Sequence, residues 1–168
     1  MEINLFIQII QNTPIWVFVL FFVLLGLGVI QIRDRTVGKV GVTILPCVLV
    51  CLSFYGVISA FGPIYGGMLS WSIGLVVAIW IGYKLALPKG VAYLKESGSF
   101  SVPGSWIPLA LMMAIFFTKY VVGVLIAMQV AVIREIEFIV VVSCLYGCFS
   151  GLFFSRLLVI RKSIKQDL

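Results

Sequence analysis

The chain has 168 residues, of which 62% are hydrophobic and 11% are charged, and its formal net charge is +6. Its mean hydropathy of +1.23 excludes an ordinary soluble domain, in which about a quarter of the residues are charged, and a disordered chain, which has low hydrophobicity. The strands of a transmembrane β-barrel alternate and have a weaker average hydropathy. A membrane helix uses about 20 apolar residues. The composition therefore predicts an all-α membrane protein, a bundle of five transmembrane helices in one domain over residues 1–168.

The chain begins with a short amphipathic segment and a first apolar span. Over residues 1–13 the apolar side chains recur on one face, which predicts a helix that lies in the membrane interface. Thr13-Pro14 is typical of a helix start, and span one follows over about residues 14–32. Span two covers about residues 40–60, and Pro46 predicts a kink near its first turns.

The second half of the chain contains the longest loop between two pairs of spans. Span three covers about residues 68–87, and the loop 88–105 follows it. Within this loop two short stretches flank a Lys-Glu-Ser-Gly turn, which predicts a small β-hairpin. Span four covers about residues 106–130 and span five about residues 138–160.

Basic residues predict the orientation, because lysine and arginine collect in cytoplasmic loops. Only Arg134 lies in a segment predicted to be outside, and Lys119 lies within span four. This asymmetry predicts an outer N-terminus and a cytoplasmic C-terminus, with anionic lipid as the acidic partner at the cytoplasmic face and no nucleic acid. The bases of the predicted inner segments are Arg33, Arg35, Lys39, Lys84, Lys89, Lys95, Arg156, Arg161, Lys162 and Lys165.

Small residues recur at every fourth position in two spans and form two small-residue ridges. In lipid, such ridges let helix backbones approach closely. They indicate packing within the chain, with a homo-oligomer or membrane-protein interface as the alternative. The first ridge consists of Gly66, Ser70, Gly74, Ala78 and Gly82 in span three. The second ridge consists of Ser143, Gly147, Gly151 and Ser155 in span five.

Four cysteines occur as two pairs, each with a spacing of four residues. Cys47 and Cys51 lie in span two, and Cys144 and Cys148 lie in span five. Clustered thiolates suit zinc or Cu(I), but the usual two-residue spacing is absent and buried cysteine is commonly a small packing residue. Packing is therefore the favoured interpretation, a metal site is the weaker one, and no cofactor is expected.

Lys119 is the most unusual residue, because it lies near the middle of span four. A charge at that depth costs roughly 2.5–3.5 kcal/mol on insertion scales, and no Asp or Glu occurs in any predicted span. The lysine is neutral, is held by hydroxyl groups, or faces a wet cavity that takes an anionic group. Thr118, Tyr120 and Tyr55 are the residues predicted to accompany it in a ligand-binding site.

Four stretches of the chain resemble an uncharacterised family of small multi-pass bacterial inner-membrane proteins, a domain of unknown function. The resemblance implies the bacterial inner membrane and supplies no activity. In that family the position of Lys119 is similarly basic, whereas the cysteines are not part of the pattern. The stretches are Thr13-Pro-Ile-Trp-Val17, Pro103-Gly-Ser-Trp-Ile-Pro-Leu109, Lys119-Tyr120 and Leu145-Tyr-Gly-Cys-Phe-Ser-Gly-Leu152.

Three classes of function follow, in descending order. The first is a non-catalytic membrane protein that acts through helix association with a partner or with itself. The second is a small transporter or channel protomer in which Lys119 binds an anionic group in a wet cavity. The third is a membrane enzyme, which is not expected, because the chain has no histidine and shows no nucleophile–base or carboxylate pair.

Overall fold

A computed structural model describes residues 7, 9–86, 88–94 and 97–166. The predicted interfacial helix over residues 1–13 lies largely outside the described residues, although residues 9–12 are helical. The main elements that follow are α1 (Ile15–Ile30), β1 (Arg35–Gly38), α2 (Lys39–Phe61), α3 (Tyr65–Leu85), β2 (Ala92–Leu94), β3 (Ser99–Val102), α4 (Ile107–Ala127) and α5 (Ile136–Gln166). A short 3₁₀ turn, Ala131–Arg134, precedes α5.

Four of these helices, α2 to α5, are long and apolar enough to cross a membrane. Such sequences form helices in lipid because every backbone N–H and C=O must be paired within the segment. The predicted membrane class therefore holds. The count of five spans is not confirmed, because α1 has only 16 residues. At 1.5 Å per residue it is about 24 Å long, less than the about 30 Å of the hydrocarbon core.

Three strands form a small antiparallel sheet at one end of the bundle, in the order β1-β3-β2. The predicted hairpin is confirmed, with Ala92 opposite Ser101. β1 was not predicted, and it pairs with β3 from a different connection, with Arg35 opposite Val102. This pairing brings the connection after α1 and the connection before α4 to the same end of the bundle, which we call the sheet end.

The sheet end is anchored on the last turns of α5. Phe100 is only 1% exposed and shares a hydrophobic cluster with Leu157 and Ile160 of α5. An isolated hairpin is marginal in water, so the third strand and this apolar contact explain why the loop is ordered.

A side chain in the connection after α1 also fastens the sheet end. Asp34 Oδ1 accepts a hydrogen bond of 2.7 Å from the backbone N–H of Gly104, just after β3. We expect Asp34→Ala to lower the free energy of unfolding by about 1 kcal/mol, because the Gly104 donor loses its partner. Unfolding by denaturant in mixed micelles measures this change. Asp34→Asn keeps an acceptor oxygen and is the control; equal stability of Asp34→Ala and the native chain would contradict the expectation.

The tightest packing joins α3 to α5, where the two small-residue ridges face each other. A Cβ atom built on Gly147 would collide with the carbonyl oxygen of Trp71, and one on Gly151 would lie 2.5 Å from the carbonyl oxygen of Leu75. Ser70 Oγ donates a hydrogen bond of 2.7 Å across the same interface to the carbonyl of Val140. Backbone therefore packs on backbone, and both ridges are occupied within one chain.

Candidate functional site

Lys119 extends from α4 towards α2 and α5. Its Nζ lies 4.6 Å from the centroid of the Tyr146 ring on α5, a cation–π contact. A Cβ atom built on Gly56 of α2 would lie only 2.5 Å from this Nζ. The missing side chain at Gly56 thus leaves the space that the ammonium group occupies.

The ring beneath Lys119 belongs to a residue fixed by a hydrogen-bonded chain through three helices. Trp71 Nε1 on α3 donates to Ser53 Oγ on α2 at 3.0 Å, and Ser53 Oγ donates to the carbonyl oxygen of Tyr146 at 3.0 Å. Tyr146 is only 4% exposed. Lys119 therefore contacts a rigid aromatic surface.

The charge of Lys119 is only partly compensated. A cation–π contact contributes about 0.5–2 kcal/mol, whereas a lysine near the middle of a membrane helix costs about 2.5–3.5 kcal/mol. Within the described part of the chain, Lys119 makes no hydrogen bond and no ion pair besides this ring contact. A further favourable interaction, above all with a carboxylate, would offset the remaining cost of the Lys119 charge.

The residues predicted to accompany Lys119 have other positions. Thr118 Oγ1 donates to the carbonyl of Ala114 in its own helix at 2.7 Å. The Tyr120 hydroxyl shares a hydrogen bond of 2.8 Å with Thr13 Oγ1 and so joins α4 to the segment before α1. Tyr55 is 68% exposed. Tyr146 was not predicted as a site residue, although it lies three positions after Ser143 of the second ridge and hence near the same helix face.

A groove of about 690 Å³ lies between parts of α1 and α4, and Lys119 lines it. We call it the α1–α4 groove. Trp16, Leu20 and Leu24 form part of its α1 wall. The polar groups of Asn12, Thr13 and Tyr120 lie towards the end where α1 begins. The remaining wall is mainly apolar, so the groove suits an apolar occupant that carries a local negative charge.

Two small residues follow Lys119 on the groove side of α4. Gly123 and Ala127 both line the groove and occur at successive intervals of four residues after the lysine, which places all three on one helix face. A Cβ atom built on Gly123 would meet nothing within 4 Å. The space beside Gly123, unlike that beside the glycines of the two ridges between α3 and α5, is therefore open among the described residues.

The cysteines do not assemble into a set of metal ligands. Cys47 and Cys51 are exposed on α2, whereas Cys144 and Cys148 are half-buried on α5. Among the described residues, no group of three or more Cys, Asp or Glu side chains is arranged to hold a metal ion. Cys144 instead lies at the α3–α5 interface, where its carbonyl oxygen packs against Gly74.

The comparisons with known proteins place the chain in a family without assigning it an activity. No curated protein and no solved structure matches it significantly. A model described as a family of unknown function (DUF6622) matches residues 2–166, nearly the whole chain. The four apolar helices agree with the membrane character that the sequence predicts. The chain therefore belongs to this family of unknown function, DUF6622.

Proposed function

We propose that the protein is a non-catalytic component of the bacterial inner membrane that binds the transmembrane helix of another membrane protein in the α1–α4 groove. The observation that carries the proposal is the open face formed by Lys119, Gly123 and Ala127. Gly123 and Ala127 allow a helix backbone to approach closely, which is a main source of helix association in lipid. Because neither Gly56 nor Tyr146 lines the groove, the ammonium group of Lys119 turns from the Tyr146 ring towards the groove and pairs there with an Asp or Glu of the bound helix.

The depth of Lys119 favours a helix over a lipid as the occupant. Lys119 precedes Ala127, the last residue of α4, by eight positions, which corresponds to about 12 Å along the helix axis. A lipid carries its charge at the membrane surface, whereas a transmembrane helix can carry a carboxylate at any depth. The partner is therefore a helix with one acidic residue within its span.

A second copy of this chain is not the occupant that we propose. Its acidic residues all lie outside the predicted spans, so it has no intramembrane carboxylate for Lys119. Its two small-residue ridges are already packed against each other. The acidic residues are Glu2, Asp34, Glu96, Glu135, Glu137 and Asp167.

The same proposal includes the topology. The connections that meet at the sheet end are those predicted to lie inside from their basic residues, so we place this end in the cytoplasm. α1 then crosses as the fifth, short span, supported by its packing along α4. Phe21 of α1, whose ring centroid lies 5.3 Å from that of Phe116, is part of this contact.

Site-specific photocrosslinking in native membranes tests the proposal. A photoreactive residue replaces Leu20 or Val124, which line the groove, and Val76, which is 63% exposed on α3, serves as the control position. We expect one crosslinked membrane protein from the groove positions, with an Asp or Glu within its span, and none from Val76. Lys119→Met should reduce this crosslink at least about tenfold, which corresponds to about 1.4 kcal/mol.

Other crosslinked products contradict the proposal. Lipid alone, a second copy of the chain, or a partner that lacks an intramembrane acid excludes a charge-paired helix in the groove. Undiminished crosslinking in Lys119→Met excludes a role for the lysine in binding. The transporter alternative, in which Lys119 serves an anion path, is less favoured because the groove wall is mainly apolar.

A further inference from the structure

A second group of charged side chains lies at the sheet end, far along α5 from Tyr146. Arg156 of α5 is 9% exposed, and its Nη1 is buried without a hydrogen-bond partner among the described residues. Arg35 at the start of β1 is half-buried and lies opposite Val102, which shares a hydrophobic cluster with Leu157, the residue after Arg156. Two desolvated guanidinium groups thus lie together, an arrangement that is unfavourable without a compensating anion.

The described residues around the two arginines do not pair a carboxylate with either guanidinium group. Among the described residues, neither arginine forms an ion pair with a carboxylate. Asp34, next in sequence to Arg35, directs an oxygen to the N–H of Gly104 instead. Burial lowers the pKa of Arg35, which reflects the same loss of hydration.

Both arginines keep N–H donors that have no hydrogen-bond partner among the described residues. Arg35 Nη2 donates to Gln31 Oε1 at 2.9 Å. Gln31 is itself buried, with 7% of its surface exposed, and its Nε2 contacts the sulfur of Met112 at 3.9 Å. Gln31 therefore fixes one edge of the Arg35 guanidinium, while the other edge and the buried Arg156 make no hydrogen bond to the described residues.

We propose that Arg35 and Arg156 form a binding site for a phosphate group, positioned by Gln31. Arginine suits this role because its planar guanidinium presents paired donors to phosphate oxygens. Two arginines also present more N–H donors to the phosphate oxygens than one. The phosphate belongs to an anionic lipid headgroup or to a free phosphate ion. This site is separate from the α1–α4 groove and does not depend on the function proposed for that groove.

Thermal unfolding of the delipidated protein in detergent micelles tests the site and identifies the source of the phosphate. We expect the Tm of the native chain to rise by about 5 °C at saturating ligand, since a ligand that binds only the folded state stabilises it. One arm adds phosphatidylglycerol, with phosphatidylcholine as the uncharged comparison. The other adds inorganic phosphate, with chloride at equal ionic strength as the comparison.

Three variants decide whether the response comes from this site. Arg35→Met and Arg156→Met should abolish the rise in Tm. Arg161→Met should keep it, because Arg161 is exposed on the same helix and donates to Thr43 Oγ1. Without ligand, Arg156→Met should be at least as stable as the native chain, because it removes an uncompensated buried charge. If Arg156→Met fails to fold, the change in Tm of Arg35→Met on addition of ligand decides whether the response comes from this site.

Each outcome of this experiment has one meaning. A rise with phosphatidylglycerol alone assigns the site to a lipid headgroup, and a rise with inorganic phosphate assigns it to the free ion. No rise in either arm overturns the proposal. A rise that persists in both Arg35→Met and Arg156→Met, or that Arg161→Met also loses, shows general binding to basic residues and overturns it as well.

Discussion

Gly147→Ala is expected to destabilise the folded bundle by at least about 3 kcal/mol, the upper part of the range for overpacking. A Cβ atom at this position collides with the carbonyl oxygen of Trp71 and lies 2.9 Å from the backbone nitrogen of Leu75. Both obstacles are backbone atoms of α3, so no side-chain rotation relieves the contact. The two helices must separate, and the close packing along both ridges is lost over several turns.

Unfolding in mixed micelles, followed by tryptophan fluorescence, measures this effect. Gly26→Ala is the matched control, because a Cβ atom on this glycine of α1 meets nothing within 4 Å. Alanine also has the higher helix propensity, so the control should be neutral or slightly stabilising. If the two substitutions have equal effects, the α3–α5 interface does not have the backbone contact described above.

This interface shows what the sequence could predict about packing. The four-residue spacing of Gly147 and Gly151 marked one face of span five, and the spacing of Gly74 and Ala78 marked one face of span three. The pairing of these two faces was open, because a small-residue ridge accepts any complementary helix. The structure resolves this question by packing the two ridges against each other, backbone on backbone.

The faces of the other helices were harder to predict. α2 and α4 are apolar on nearly all sides, so hydrophobic periodicity does not distinguish the face towards protein from the face towards lipid. Lys119 could be recognised as unusual because it is a charged residue within an apolar span. Its contacts with Tyr146 and Gly56 could not be predicted, because they depend on tertiary packing. For the same reason, Thr118 and Tyr120 were predicted as its companions from sequence proximity alone.

Short-range sequence patterns explain why the β2–β3 hairpin was predicted and β1 was not. The β2–β3 hairpin has a turn and two flanking strands within eleven residues, Ala92–Val102, so local signals predict it. β1 has four residues and no neighbouring strand in sequence. It forms only because β3 provides hydrogen bonds from a distant loop. Arg156 was likewise interpreted as an inner-end charge, because its burial depends on tertiary packing that the local sequence does not show.

Lys119→Met is expected to raise the stability of the isolated protein by about 1–2 kcal/mol. The substitution removes the cost of a charge within the membrane, about 2.5–3.5 kcal/mol, and forfeits a cation–π contact of about 0.5–2 kcal/mol. The gain in stability should accompany the loss of the crosslink to the partner helix. Opposite effects on stability and binding are typical of residues that serve function at the expense of the fold.

Lys84→Met is the matched control for this prediction. Lys84 Nζ lies 4.5 Å from the ring centroid of Trp80, so it makes the same kind of contact, but it belongs to the last turn of α3, where a lysine can reach water. Its replacement should therefore only lose the contact and slightly lower the stability, as measured by unfolding in the same micelles. If Lys119→Met also lowers the stability, Lys119 is a structural residue. Its stabilisation of the bundle, rather than a partner's carboxylate, then explains a charge at that depth.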